Sequence, residues 1–158
     1  MDLIDRVIAR EGGAKVTNDP NDAGGLTKYG ISARAHPGVD IANLTYEHAK
    51  DIYIREYWVA PGFQQLPAVL QAVCLDWGVH SGPPVPVEAL QRLVGVSVDG
   101  RIGPATLAAL SSFPSQKLDE LASALTLQRV MYLTRNAIAR PQNLKFLVGW
   151  LTRALTVV

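Results

Sequence analysis

Along most of the chain, apolar residues recur at helical spacing. Leu3, Ile4, Val7 and Ile8 share one face opposite Asp2, Asp5, Arg6 and Arg10, so the chain opens on an amphipathic helix. Glu11-Gly12-Gly13 stops it, and a polar stretch rich in Asn, Asp, Pro and Gly follows from Thr17 to Thr27. Thr45 caps a helix through about Trp58, with Tyr46, Ala49, Ile52, Tyr53 and Tyr57 as its inner stripe and Pro61-Gly62 as its end. A third helix over 67–77 carries Val69, Leu70, Val73 and Cys74 inward and is over by Ser81-Gly82-Pro83-Pro84; a fourth runs from Val87 to Val94. The Asp99–Pro104 connection leads into a short helix to Leu110. A long helix over 115–140 ends at Pro141, and a last one from about Asn143 places Phe146, Leu147, Trp150 and Leu151 at core spacing. The one strand signal is an extended piece near Tyr29-Gly30-Ile31-Ser32. The pattern predicts a mainly α-helical protein without internal repeats.

Composition narrows the function classes. The 158 residues suit one compact domain, or one with a small appendage, and 48% hydrophobic against 18% charged residues supplies a core. A net charge of +1 gives no overall basic field, which argues against a nucleic-acid partner. Cys74 alone closes no intramolecular disulfide. No apolar run reaches the length of a spanning helix, so no membrane insertion is expected. The acidic start Met1-Asp2-Leu3-Ile4-Asp5 lacks the pattern of a signal peptide, and synthesis in the cytoplasm is expected. His36, His48 and His80 are scattered without metal-ligand spacing, and no nucleotide fingerprint appears, so neither metal nor cofactor is expected.

The candidate chemistry begins at Glu11. It ends an amphipathic helix beside two glycines that let a ligand approach the backbone. The negative end of a helix dipole favours the neutral form of a carboxyl group, the form a general acid needs. On position alone, a solvated glutamate in a helix's final turn is the better explanation. Asp19, Asp22 and Thr27 change the balance, because they put further carboxylates and a hydroxyl within one loop of Glu11. Two carboxyls and a polar group able to hold water are what glycosidic hydrolysis requires.

The series Glu11-Gly12-Gly13, then Asn18-Asp19-Pro20-x-Asp22-x-Gly24-Gly25-x-Thr27-x-Tyr29-Gly30-Ile31, resembles the start of glycoside hydrolase family 108, with phage endolysins and secretion-activator muramidases among its members. Ala49-x-x-Ile52-Tyr53-x-x-x-Tyr57-Trp58 and Asp76-x-x-Val79-x-Ser81-Gly82 look like that family's second and third motifs, so the likeness spans most of residues 1–90. It departs at His80, where asparagine is commoner, and at Ala14-Lys15, where an aromatic usually follows the glycines. The resemblance implies a lysozyme-like helical fold in one compact unit. It implies cleavage of the β-1,4 bond between N-acetylmuramic acid and N-acetylglucosamine, with Glu11 as catalytic acid and Asp22 and Thr27 at the same site. By it, Asp19, Tyr29, Tyr57, Trp58, Asp76 and Ser81 are expected to meet substrate. Read locally, Asp19 also suits an Asx-turn, and Asp76 is either partnered in the core or facing the cleft.

The second half, Ala89-Leu90-Gln91-Arg92-Leu93 through Asp99-Gly100-x-Ile102-Gly103-Pro104-x-Thr106-Leu107, looks like a peptidoglycan-binding helical module. Its turn either touches ligand or only joins two helices. The expected division is 1–88 for the muramidase region and 89–158 for the wall-binding region. The rival readings are a lytic transglycosylase and a non-catalytic wall-binding or secretion-accessory protein. The resemblance further implies a bacteriolytic endolysin in a phage setting, monomeric, with peptidoglycan as partner and a holin or exporter giving access to the wall.

Overall fold

A computed structural model of the chain describes residues 2–18 and 25–157, and its helices begin and end close to the caps and breakers of the sequence. It divides into two units, Met1–Glu56 and Tyr57–Val158.

In the first unit, α1 (Leu3–Arg10) starts in a capping box: Asp2 Oδ1 accepts from the Asp5 N–H at 2.8 Å and Asp5 Oδ2 from the Asp2 N–H at 3.1 Å. The same two carboxylates receive Lys50 Nζ at 2.8 and 2.7 Å, and Asp5 also accepts from the Tyr46 hydroxyl. These contacts fasten α1 to α2 (Tyr46–Tyr53), which Thr45 caps and which widens into a π-helical turn over Ile54–Val59. The Lys50 ammonium and the Tyr46 hydroxyl hold the Asp5 carboxyl well below the usual carboxylate range. Ile4, Val7, Ile8, Ile31, Ile41, Leu44, Ala49, Ile52 and Tyr53 are the buried apolar residues of this unit. The expected extended piece is a two-stranded antiparallel hairpin, β1 (Thr27–Lys28) and β2 (Ile31–Ser32). Tyr29-Gly30 is its turn rather than its strand, because both residues have positive φ.

The second unit is helical: α3 (Ala68–Ser81), α4 (Pro84–Val94), α5 (Pro104–Ser111), α6 (Ser115–Ala139) and α7 (Leu144–Leu155). α4 begins three residues before the expected Val87, since proline is tolerated in a first turn. The 25-residue α6 packs on α3, α4 and α7. α3 buries Leu70, Val73, Cys74, Leu75 and Trp77, and burial pushes the Cys74 thiol up to about 12, so it is an inert core group. Val69 is instead 40% exposed, at the rim of a groove with Ala72, Ser123 and Thr126. On α7 the expected inward set is also corrected. Phe146 is 49% exposed and Leu147, Trp150 and Leu151 are half-buried, while small Ala154 is buried. In the last turn of this helix Arg153 reaches Asp76.

Two polar devices hold this unit. Gln91, 1% exposed, donates its two amide hydrogens to Asp99 Oδ1 (2.7 Å) and the Arg101 carbonyl (3.0 Å), with Thr106 Oγ1 3.2 Å from the same nitrogen, and accepts from the Asp99 and Gly100 amides at 3.0 Å each. The Asp99–Pro104 turn is therefore clamped from within. Asp76 lies 1% exposed between Arg129, at 2.6 Å, and Arg153, at 2.9 Å, linking α3, α6 and α7. Burial raises its carboxyl, but the bonds and charges of the two guanidinium groups outweigh that and hold it low. Among the described residues no helix is long and apolar enough to cross a membrane.

Candidate active site

Glu11 is the residue on which α1 closes. It has near-helical φ −83° and ψ 17°, and its N–H still donates to Val7 and Ile8 carbonyls. The carboxyl group is thus carried by the last turn of a helix that Ile4, Val7 and Ile8 anchor in the core. The Gly12-Gly13 turn then sends the chain back, and the Gly13 carbonyl accepts from the Tyr29 N–H at 2.9 Å. Thr17 and Thr27 exchange both backbone bonds, at 2.9 and 2.8 Å. These pairings lay the hairpin turn against the end of α1.

The consequence for Glu11 is read at Gly30. A Cβ built on that glycine would stand 2.7 Å from Glu11 Cβ, 3.2 Å from Glu11 Cγ and 2.5 Å from the Tyr53 hydroxyl. Glycine is needed here both for φ +76° and for space. Tyr53, 2% exposed, donates its hydroxyl to the Tyr29 carbonyl at 2.9 Å and so holds the turn in place. The Glu11 stem is half-buried between these groups and its Oε1 is shielded from solvent. A carboxyl confined in this way keeps one geometry, which proton transfer to a positioned oxygen demands.

An open groove of about 580 Å³ runs beside this corner, lined by Asp5, Ile8, Ala9, Gly13, Ala14, Tyr29 and Tyr46. Tyr29 forms its wall, edge-on to Tyr46 at 5.9 Å with Lys28 Nζ 5.7 Å from its ring centre. Across the same unit His36 Nε2 sits 2.9 Å from Glu56, which also meets Arg55 at 2.9 Å. Burial works to raise the Glu56 carboxyl, but His36 and Arg55 bring it below its ordinary value.

Of the expected site residues, Tyr29 lines this groove, Glu11 lies against the adjoining Gly30 of the hairpin turn, and Thr27 stands on the strand that leads into that turn. The Thr27 hydroxyl donates to the Gly25 carbonyl at 3.1 Å. Asp19 and Asp22 lie outside the described residues. Tyr57 and Trp58 belong to the second unit and are half-buried on its opening turn. Ser81 closes α3. Asp76 is corrected: its oxygens face Arg129 and Arg153 in the core, since a carboxylate on a buried helix face must be paired. Sequence reasoning missed Gly30 and Tyr53 as parts of the site. Both stood inside quoted motifs, yet nothing local says that they meet Glu11.

A sequence profile for glycosyl hydrolase 108 matches residues 4–82, and one described as a predicted peptidoglycan domain matches 85–155. Among solved structures similar to this chain is that of Brucella abortus SagA, 30% identical, covering 98% of this chain and 88% of that one with a TM-score of 0.78. No curated protein matches it.

Proposed function

Since this chain belongs to glycosyl hydrolase family 108 and is a mainly helical, lysozyme-like peptidoglycan hydrolase, we propose that it cuts the β-1,4 bond between N-acetylmuramic acid and N-acetylglucosamine, with Glu11 as general acid. The confinement of Glu11 by Gly30 and Tyr53 is the observation that carries this reading. Glu11 hands its proton to the bridging oxygen as positive charge builds on the departing sugar ring. Asp22 activates or orients the attacking water, or steadies the charged ring. Thr27 already donates its proton to Gly25, so it offers water a lone pair and acts as an acceptor. Tyr29, Tyr57, Trp58 and Asp19 serve as sugar contacts. The two profile matches favour a muramidase region followed by a wall-binding region, which we take as 1–88 and 89–158. The protein works as a monomeric, bacteriolytic endolysin of a phage, which reaches the wall after release through a holin or exporter.

The test is the clearing of purified walls by wild-type and Glu11→Gln proteins. A positioned acid is worth about 10²–10⁴-fold, so the variant is expected to lose at least that with an unchanged melting curve. A variant that clears walls at the wild-type rate overturns the assignment. Mass spectrometry of the fragments reads the chemistry: reducing muramic ends are expected, and anhydromuramic ends mean a transglycosylase.

A further inference from the structure

The second unit contains a small polar pocket of about 220 Å³ where the end of α3 meets α6 and the start of α7. We infer that it holds a carboxylate and the adjoining amide of a peptidoglycan stem peptide, an inference that rests on reading the protein as a peptidoglycan hydrolase.

The hydrogen-bonding groups come first. Asn143 Nδ2 donates to Asn136 Oδ1 at 3.0 Å, which leaves the Asn136 amino group and the Asn143 carbonyl oxygen for an amide ligand. The hydroxyls of Ser81 and Tyr132, which also line the pocket, have no hydrogen-bond partner among the described residues. His80 Nδ1 is enclosed and likewise has no hydrogen-bond partner there. Burial, with the charges of Arg153 and Arg129 behind it, pushes the His80 imidazole down to about 4, so it is neutral at pH 7.

Charge selects among ligands. Arg140 lines the pocket, is exposed, and makes no ion pair among the described residues. Close to His80, the Arg129 and Arg153 guanidinium groups pair with Asp76, and their positive charge is felt at the imidazole. From Leu121 to Val158 the sequence has five basic side chains and no acidic one. The local field therefore favours an anion.

The aromatic surfaces are already committed. Trp150 is stacked by Phe146 at 6.0 Å and touched edge-on by His80 at 5.4 Å, while Tyr132 packs on Trp77 at 5.7 Å. That favours a ligand held by charge and amide bonds over a stacked sugar ring. In peptidoglycan the glycan carries hydroxyl and acetamido groups, and the stem peptide carries the carboxylates and the amide backbone.

The experiment is calorimetric titration of the full chain with the free tetrapeptide L-Ala-D-Glu-diaminopimelate-D-Ala, with the same peptide amidated at its carboxylates, and with N,N′-diacetylchitobiose. The tetrapeptide is expected to bind. Amidation or Arg140→Ala is expected to weaken it about tenfold or more, with Arg140→Lys recovering part, because a bidentate carboxylate contact is lost. Arg140 is exposed, so circular dichroism should not change. No binding, equal binding of the amidated peptide, or chitobiose binding weakened by Arg140→Ala would overturn the inference. Wall clearing is read in parallel. Walls cleared without peptide binding sink this pocket alone; peptide bound by a protein that clears no walls sinks the hydrolase reading alone.

Discussion

Gly30→Ala is the perturbation that bears most directly on the corner around Glu11. Alanine at φ +76° pays a left-handed backbone cost of about 1–2 kcal/mol. Its Cβ would also lie 2.5 Å from the Tyr53 hydroxyl and 2.7 Å from Glu11 Cβ, both too close to stand. Tyr53 is bonded to the Tyr29 carbonyl and buried, so it cannot swing away without breaking that bond. Overpacking of this kind costs about 1–3 kcal/mol, which brings the expected destabilisation to about 2–5 kcal/mol. Gly95 separates the two contributions, because it has φ +75° and nothing within 4 Å of a built Cβ. Gly95→Ala should therefore lose only the backbone part, about 1–2 kcal/mol, and keep full activity. At about 2–4 °C per kcal/mol for a chain of this size, calorimetry resolves the difference. In Gly30→Ala the displaced glutamate should also slow wall clearing about 10²-fold, the usual cost of a misplacement near 1 Å. Adding Tyr53→Phe removes the nearest contact atom and should recover part of both losses. If Gly30→Ala melts with Gly95→Ala and clears walls at the wild-type rate, Glu11 is not confined as argued.

Three further outcomes test the second unit. Gln91→Leu strips the Asp99 and Gly100 amides of their acceptor and should cost about 2–4 kcal/mol, read as a lower urea midpoint at unchanged slope. Asp76→Asn removes the buried carboxylate that both Arg129 and Arg153 bond, and about 3–5 kcal/mol of stability should go with it. The third is a pH series. His80 is depressed from 6.5 to about 4, so between those values the unfolded chain takes up a proton that the native state refuses, and stability falls with acidification; His80→Gln should flatten that window. Asp76 lies below its ordinary 3.8, so its contribution is full above that pH and is lost as pH falls further, a loss that Asp76→Asn should not show.

The sequence alone determined the helices, the chemistry on offer and the kinship. Caps such as Thr45, breakers such as Pro61-Gly62 and Pro141, and the spacing from Glu11 through Ile31 act over a few residues, so they are legible one after another. Where local pattern misled, a neighbour remote in the chain was responsible. Tyr29-Gly30 reads as extended until the hairpin pairs it, and Phe146 reads as core although it is 49% exposed while small Ala154 is buried. Asp76 could be assigned to the core only once Arg129 and Arg153, 53 and 77 residues away, were seen beside it. Tertiary structure likewise decided that Gly30 and Tyr53 hold Glu11, and that Gln91 clamps the Asp99 turn. A charge or a glycine declares its need locally, but the partner that meets the need is chosen by packing.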